Sequence, residues 1–179
     1  VVNQVAGDGA QGDIFIQHNA GNAIGPIVQN FNANPAPPNL GLTANASDVD
    51  AWVNKGPAQD YDVAPLLYSV DPVTAAFLGV GPADILWNVP GGPLALYANA
   101  ANLGLGAGDD IDGLDCSAFP VGLAFAPIAV GDRVYFSLTR GSPALAANGW
   151  SAADILYIDF GGAPAVWATA ANLGLKFTD

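Results

Sequence analysis

Four aspartates lie close together near the middle of this sequence, at Asp109, Asp110, Asp112 and Asp115. Alternate residues of an extended segment project to one side, so their carboxylates can converge. Oxygen ligands on a flexible loop favour Ca²⁺, whose roughly six to eight contacts include backbone carbonyls and water. The pattern is not an EF-hand, because Gly113 is misplaced for that loop and the chain contains no glutamate. The cluster predicts a calcium site; the alternative is a solvated acidic turn, or carboxylates that cap backbone amides.

A thinner acidic pair, Asp48 and Asp50, occurs earlier in the chain, just before Trp52. The same chemistry predicts a second calcium site there, with the same alternative of a solvated turn. Ca²⁺ is therefore the cofactor that the sequence suggests.

Aromatic residues offer a second kind of binding chemistry, because ring faces give apolar contact to a sugar while polar edges remain available. Most of the tryptophans and tyrosines occupy strand positions that are typical of a core. Trp52 and Trp150 fall in turn or loop contexts, so they are the best candidates for exposure. They predict a carbohydrate-binding platform, and the alternative is burial in the core.

Recognisable catalytic motifs are absent from the sequence. His18 is the single histidine, and its setting after a predicted strand indicates a surface turn. No G-x-S-x-G motif, zinc-spaced histidine cluster or phosphate loop occurs. A pair of aspartates could hydrolyse glycosides if their carboxyl groups lay about 5 to 10 Å apart. We expect a structural or binding protein, with an aspartate-dependent glycoside hydrolase as the alternative.

The composition restricts the partners and the compartment. Sixteen acidic groups against four basic ones give a net charge of -12, which argues against nucleic acid as a partner. The longest nearly uncharged apolar stretch, 118–130, is too short for a membrane span and contains two prolines. A chain without methionine suggests that Val1 follows a removed signal peptide, so we expect a secreted, extracellular protein. Cys116 stands alone and is expected to be a small buried residue.

Short motifs recur at a nearly fixed spacing, which indicates internal repeats. Asp-Ile-Leu begins at Asp84 and Asp154, and Asn-Leu-Gly-Leu begins at Asn102 and Asn172, both 70 residues apart. An earlier copy of the first motif begins at Asp13, 71 residues before Asp84. The aspartate that opens each of these strands is expected to cap a turn, or alternatively to reach a neighbouring acidic loop. We predict one domain over 1–179 with three repeats, at approximately 1–52, 53–115 and 116–179.

Each unit is predicted to contain an acidic turn, a Tyr/Phe-Ser strand, a hairpin and a Leu-Gly-Leu tail. The hairpins span 84–98 and 154–168, with Gly-Gly pairs at their turns. Asn99 and Thr169 precede two alanines and predict a cap for one helical turn. The fold class is all-β, with three repeats of about 60–70 residues in a pseudo-threefold closed arrangement, propeller-like or β-prism-like.

The order of these motifs resembles a group of uncharacterised secreted bacterial proteins. Those proteins repeat an Asp-Ile-Asp-Ala-Leu turn, a Phe-Ser strand, an Asp-Ile-Leu strand and a Leu-Gly-Leu tail. The matching segments here are 110–114, 135–137, 154–156 and 173–175. The resemblance implies an extracellular repeat domain and brings no established activity.

The two ends of the chain differ from a whole unit. The first predicted unit lacks its Tyr/Phe-Ser strand, and the third stops where its acidic turn would begin. These gaps predict an exposed strand edge on the first unit, to which a second copy could add a strand. The alternative is that the first unit closes with one strand fewer, with residues 1–12 covering the edge.

Overall fold

The computed structural model describes residues 14–20, 23–31, 49–54, 66–88, 93–117 and 128–175. Side chains are described in these ranges from residue 49 onward, apart from 51–54. Ten strands and two short α-helices lie in this part of the chain. In chain order they are β1 (Ile14–Ala20), β2 (Ala23–Phe31), β3 (Val49–Asn54), β4 (Leu66–Val70), α1 (Pro72–Leu78), β5 (Ile85–Asn88), β6 (Ala95–Ala98), β7 (Ile111–Cys116), β8 (Arg133–Leu138), α2 (Pro143–Asn148), β9 (Ile155–Asp159) and β10 (Ala165–Ala168).

The strands form one hairpin and two four-stranded sheets, and all the pairings are antiparallel. β1 pairs with β2, the first sheet has the order β3-β4-β5-β6, and the second has the order β7-β8-β9-β10. The prediction of a mainly β protein is confirmed. None of the described helices is long and apolar enough to cross a membrane.

The segments predicted as acidic turns form the first strand of each sheet instead. Asp50 lies at an irregularity in β3 where the register with β4 shifts, and Asp112 lies at the matching shift in β7. A bulge of this kind keeps an acidic residue in a strand without placing it in the regular ladder. The predicted unit boundaries at 52/53 and 115/116 fall inside these strands, so the sheets begin at Val49 and Ile111.

Short helices, which the sequence analysis did not predict, join the second and third strands of both sheets. α1 begins after Asp71, whose carboxylate accepts hydrogen bonds from two amides of the first turn, and it ends at Gly79. α2 likewise has a proline in its first turn and ends at Gly149. Proline at the start and glycine after the end are ordinary helix boundaries, so the pattern was present in the sequence.

Both predicted hairpins are confirmed, as β5 with β6 and β9 with β10. The predicted helical turn after β6 is a 3-10 helix, Ala100–Leu103. Its cap, Asn99, accepts a hydrogen bond from the amide of Asn102 at 2.9 Å. After β10, the hydroxyl of Thr169 accepts the amide of Asn172 at 3.2 Å in the same way.

A buried hydrophobic cluster joins the two sheets. Leu67, Ile85 and Tyr97 from one face of the first sheet share a buried cluster with Val134, Phe136 and Leu156 of the second. The opposite face of the first sheet forms a separate buried cluster that includes Leu66, Tyr68, Val70 and Leu86. Alternate residues of β4 therefore enter different clusters, because successive side chains of a strand point to opposite faces. Cys116 is free and buried in the shared cluster, as predicted.

Gly104 follows the 3-10 helix at a close approach between the sheets, and this gives a testable prediction. Its φ is 70°, and a Cβ atom there would lie 2.5 Å from Cδ of Pro164. Gly104→Ala is expected to lower the free energy of unfolding by about 2 to 4 kcal/mol, through backbone strain and overpacking together. Gly149→Ala is the matched control, because Gly149 has φ 69° but no heavy atom within 4 Å of the added Cβ. It should cost about 1 kcal/mol in the same urea titration; equal losses in the two variants would contradict the close approach.

Candidate functional site

Four short loops are closed by the same aspartate geometry. In each loop the carboxylate accepts a hydrogen bond from the backbone N–H three residues earlier, at 2.7 to 2.9 Å. The N–H of the aspartate donates in return to the carbonyl of that earlier residue. The four aspartates are Asp84, Asp109, Asp132 and Asp154. We call each of these loops an aspartate clamp. Each clamp leads directly into the strand that follows it, so the carboxylate has a structural role.

The clamps at Asp84 and Asp154 also reach the helical turn that follows each hairpin. The second oxygen of Asp84 accepts the amide of Ala100 at 2.8 Å, and that of Asp154 accepts the amide of Ala170 at 2.8 Å. The prediction that these aspartates cap turns is confirmed. Asp13, the third member of the predicted set, lies outside the described residues.

Asp109, which was predicted to bind calcium, is buried and holds two backbone amides. Its carboxylate accepts the N–H of Gly106 at 2.7 Å and the N–H of Ala144, in α2, at 2.7 Å. A metal ion would compete with both bonds for the same oxygen atoms. We therefore assign Asp109 to the scaffold that carries β7 and α2.

Asp50, Asp71, Asp110 and Asp112 form a cluster that we name the acidic junction, where the first sheet meets the second. β3 packs against β7, and Asp110 directly precedes β7. The side chain of Asp50 hydrogen-bonds to the carboxyl of Asp110, while Asp71 and Asp112 act on it through their charge. The junction therefore gathers carboxylates from both sheets.

The negative charge of the Asp110 carboxyl group is poorly compensated by its surroundings. Burial is the largest influence and raises its pKa; hydrogen bonds with Thr139 and Asp50 lower it, and the charges of Asp112 and Asp71 raise it further. The net pKa shift is upward. The Oδ1 atom is buried and accepts no hydrogen bond from the described residues. A buried oxygen without a partner costs about 1 to 3 kcal/mol, so a proton or a cation would stabilise the junction.

Backbone contacts with the second sheet fix the position of Asp110. Its carbonyl accepts the N–H of Thr139 at 2.9 Å, and its own N–H donates to the hydroxyl of Ser142 at 3.1 Å. Asp71 is held in a similar way as the N-cap of α1. Asp71 was not among the predicted ligands, although the Asp-Pro step that identifies it as a helix cap is visible in the sequence.

The other predicted metal ligands do not all join this cluster. Asp115 is exposed, and one of its oxygens accepts the amide of the next residue at 2.8 Å. Asp48 lies outside the described residues. In the part of the chain that the structure covers, no three histidine, cysteine or aspartate side chains are arranged to hold a metal ion. Of the predicted set, Asp50 and Asp110 come within reach of each other, and Asp112 acts on Asp110 through its charge.

A second candidate site lies on the outer face of the second sheet. Tyr135 of β8 contacts Trp167 of β10 edge to face, with ring centroids 5.7 Å apart and planes at 79°. Tyr157 of β9 lies beside Tyr135, with centroids 6.3 Å apart. The rings of Tyr135 and Trp167 border a cavity of about 370 Å³, which we name the aromatic cleft. Its lining residues are Gly113, Leu114, Asp115, Tyr135, Phe136, Ser137, Ile155 and Trp167.

An ion pair borders the same face. Both oxygens of Asp159 accept hydrogen bonds from the guanidinium of Arg133, at 2.6 and 2.8 Å. The same guanidinium lies 5.1 Å from the centroid of the Tyr157 ring. Arg133 lowers the pKa of Asp159 through these hydrogen bonds, and Asp159 raises the pKa of Arg133. Both groups are exposed, so the pair contributes little to stability. Its effect is to hold the Arg133 side chain in place beside the aromatic cleft.

Among the tryptophans whose side chains the structure describes, the exposed one is Trp167, which was not a predicted candidate. Trp150 is half-buried and packs against the core, and the side chain of Trp52 lies outside the described set. Trp167 is 57% exposed although it lies on a strand that the sequence pattern assigned to the core. Strand periodicity shows that Trp167 shares a face with other aromatic residues; it does not show whether another layer covers that face.

Comparisons with known proteins supply no relative for this chain. No family model, curated protein or solved structure matches it significantly. The likeness to secreted bacterial repeat proteins therefore stays a prediction. The acidic junction and the aromatic cleft are the features on which a function can be argued.

Proposed function

We propose that this chain is an extracellular β-repeat protein that serves as a structural or binding module and binds Ca²⁺ at the acidic junction. One feature carries the calcium proposal: the carboxyl groups of Asp50 and Asp110 lie within reach of each other where the two sheets meet, and Oδ1 of Asp110 is buried without a partner among the described residues. Two ionised carboxylates cannot make that contact favourably. A shared proton or a bound cation would remove this repulsion.

The electrostatic cost of leaving the pair uncompensated is substantial. Two like charges about 4 Å apart repel by about 4 kcal/mol at the effective dielectric of a protein surface. The neighbouring charges that raise the pKa of Asp110, those of Asp112 and Asp71, are also negative. A divalent cation would convert this repulsion into attraction between the sheets.

Calcium suits the donor set better than other common metals do. The carboxylates are hard oxygen donors, and Ca²⁺ accepts irregular geometry completed by backbone carbonyls and water. Extracellular calcium modules bind with Kd values of about 10⁻⁴ to 10⁻³ M, which a site with few protein ligands can reach. This range matches the secreted location predicted from the sequence.

The proposal that the chain consists of three repeated units rests on similarities within the chain. Both sheets contain four antiparallel strands with a helix after the second strand, and both carry an aspartate clamp before the third. The hairpin of β1 and β2 follows the remaining Asp-Ile motif, which begins at Asp13 and comes first in the chain. We propose that the hairpin belongs to the first of three units and that the units form a pseudo-threefold, propeller-like or prism-like arrangement. The ring has an open seam at the face of the second sheet on which Trp167 is exposed.

A glycoside hydrolase is the alternative from another functional class. Its mechanism needs two carboxyl groups on either side of the scissile bond. The described lining of the aromatic cleft contributes one carboxylate, Asp115. This geometry favours a binding module.

Calcium is expected to raise the thermal stability of chelator-treated protein. At free Ca²⁺ about 100 times the Kd, binding to the folded state alone adds about 2.7 kcal/mol to the free energy of unfolding. Asp110→Asn and Asp50→Asn should lose most of this increment in calorimetry. Asp159→Asn is the matched control, because it removes one carboxylate from an exposed pair elsewhere and should keep the increment. An identical transition with calcium and with chelator in the unsubstituted protein would overturn the calcium proposal.

The pH dependence separates a bound calcium ion from a shared proton. The raised pKa of Asp110 means that the folded state binds this proton more tightly than the unfolded state does. In the calcium-free protein this contribution to stability is greatest below the unfolded-state pKa of about 4 and is lost as the pH rises through the folded pKa. The calcium increment has the opposite sign and grows with pH, because the metal needs the ionised carboxylate. Asp110→Asn should remove both dependences.

A further inference from the structure

The aromatic cleft occupies a face that is covered in the first sheet and open in the second. Leu67 is paired with Trp87 in the first sheet, and Tyr135 is paired with Tyr157 at the corresponding place in the second. In the first sheet Leu67 is fully buried against the second sheet. In the second sheet Tyr135 lies on the border of an open cavity.

The fourth strands of the two sheets, β6 and β10, show the same contrast in side-chain exposure. Tyr97 of β6 is 2% exposed, and its hydroxyl donates to Asp132, the residue before β8, at 3.2 Å. Trp167 holds the matching place in β10 and is 57% exposed. The second sheet therefore presents a large ring to solvent where the first sheet buries one.

The residues of the open face are more polar than their counterparts in the covered face. Leu67 is matched by Tyr135, which adds a phenol group, and the exposed carboxylate of Asp115 joins the lining. Ser69 donates its hydroxyl to the carbonyl of Ile111 at 3.1 Å, whereas Ser137 lines the cleft and its hydroxyl makes no hydrogen bond within the described chain. A face adapted to dry packing against another sheet would not gain the phenol and the carboxylate.

We propose that the aromatic cleft binds a neutral carbohydrate. Its volume of about 370 Å³ is within the range of small-ligand pockets, and its lining combines apolar rings with a few polar groups. The apolar face of a sugar ring stacks on the exposed ring of Trp167, and Tyr135, whose plane lies at 79° to that ring, forms a side wall. The sugar hydroxyls bond to the hydroxyl of Ser137 and the carboxylate of Asp115.

The charge around the cleft selects against acidic sugars. Asp115 and Asp159 are both exposed on or beside this face, and the chain carries a net charge of -12. The nearby cation, Arg133, is already held by both oxygens of Asp159. A uronate would meet repulsion without a free cationic partner, whereas a neutral pyranose would not.

The test measures binding of the full chain to defined oligosaccharides by titration calorimetry and by tryptophan fluorescence. The neutral probes are the hexaoses of β-1,4-glucose, β-1,3-glucose, α-1,4-glucose, xylose and mannose, and the acidic probe is oligogalacturonate. At least one neutral probe is expected to bind saturably and the acidic probe to bind more weakly. Trp167→Ala should reduce the affinity at least tenfold. The matched control is Phe77→Ala, which removes a 67% exposed aromatic ring from α1 and should leave the affinity unchanged.

Three results would overturn the proposal. The first is the absence of binding to every neutral probe by protein with an intact thermal transition. The second is binding that Trp167→Ala leaves unchanged. The third is sedimentation showing self-association that Trp167→Ala abolishes, which would assign the face to a second copy of the chain. Titrations with calcium and with chelator separate this proposal from the calcium proposal, since the cleft contains no residue of the acidic junction.

Discussion

Asp109→Ala is expected to lower the free energy of unfolding by about 3 to 6 kcal/mol. The substitution leaves the amides of Gly106 and Ala144 without a charged acceptor, and each such hydrogen bond is worth about 1.5 to 3 kcal/mol. Asp109 itself is 2% exposed, so water cannot readily replace the carboxylate. Urea denaturation followed by circular dichroism measures the loss.

Two further variants make this prediction specific. Asp109→Asn keeps one acceptor oxygen and should fall between the alanine variant and the unsubstituted protein, which preserves a readout if the alanine variant does not fold. Asp115→Ala removes an exposed carboxylate from the same acidic segment and should cost less than about 1 kcal/mol. A destabilisation by Asp109→Ala that occurs with calcium and disappears with chelator would show that Asp109 is a metal ligand after all.

Tyr97→Ala is expected to destabilise the protein by about 3 to 5 kcal/mol, as large-to-small substitutions of buried aromatic residues do. Tyr97 is buried between the sheets, and its hydroxyl bonds to Asp132. Tyr97→Phe keeps the ring and isolates that hydrogen bond, so its cost should be no more than about 3 kcal/mol. Thermal and urea unfolding of the three proteins would measure both contributions.

The matching substitution in the second sheet should have a different effect. Trp167→Ala removes a ring that is mostly in solvent, so the free energy of unfolding should change by about 1 kcal/mol or less. This stability is what makes Trp167→Ala a usable variant for the binding experiment. A loss as large as that of Tyr97→Ala would show that the ring belongs to a packed interface.

Local features of the fold followed from local sequence. Glycine pairs between alternating apolar segments predicted the hairpins of β5 with β6 and β9 with β10. The clamps of Asp84 and Asp154 were also predicted, because a short acidic side chain next to a turn readily reaches nearby backbone amides. The two helices were missed although proline and glycine marked their ends, because each is only six or seven residues long.

The candidate sites depended on contacts that are distant in sequence. Asp109 and Asp110 are neighbours, yet the first is bound to amides on its own side of the fold and the second faces Asp50 from another sheet. Spacing along the chain cannot separate these roles, because the partners that distinguish them, Ala144 for Asp109 and Asp50 for Asp110, lie more than thirty residues away. The sequence did not place Asp71 in the acidic junction for the same reason: Asp110, on which it acts, lies more than thirty residues away.

The sequence by itself determined that this protein is mainly β, that two glycine-paired hairpins form and that aspartates cluster in short segments of the chain. Only the tertiary structure decided which carboxylates meet and which aromatic ring is exposed. Tyr97 and Trp167 occupy matching strand positions in nearly the same local sequence, but a second sheet covers Tyr97, whereas Trp167 remains open. Burial is a property of the layer that packs against a face, and strand periodicity carries no information about that layer.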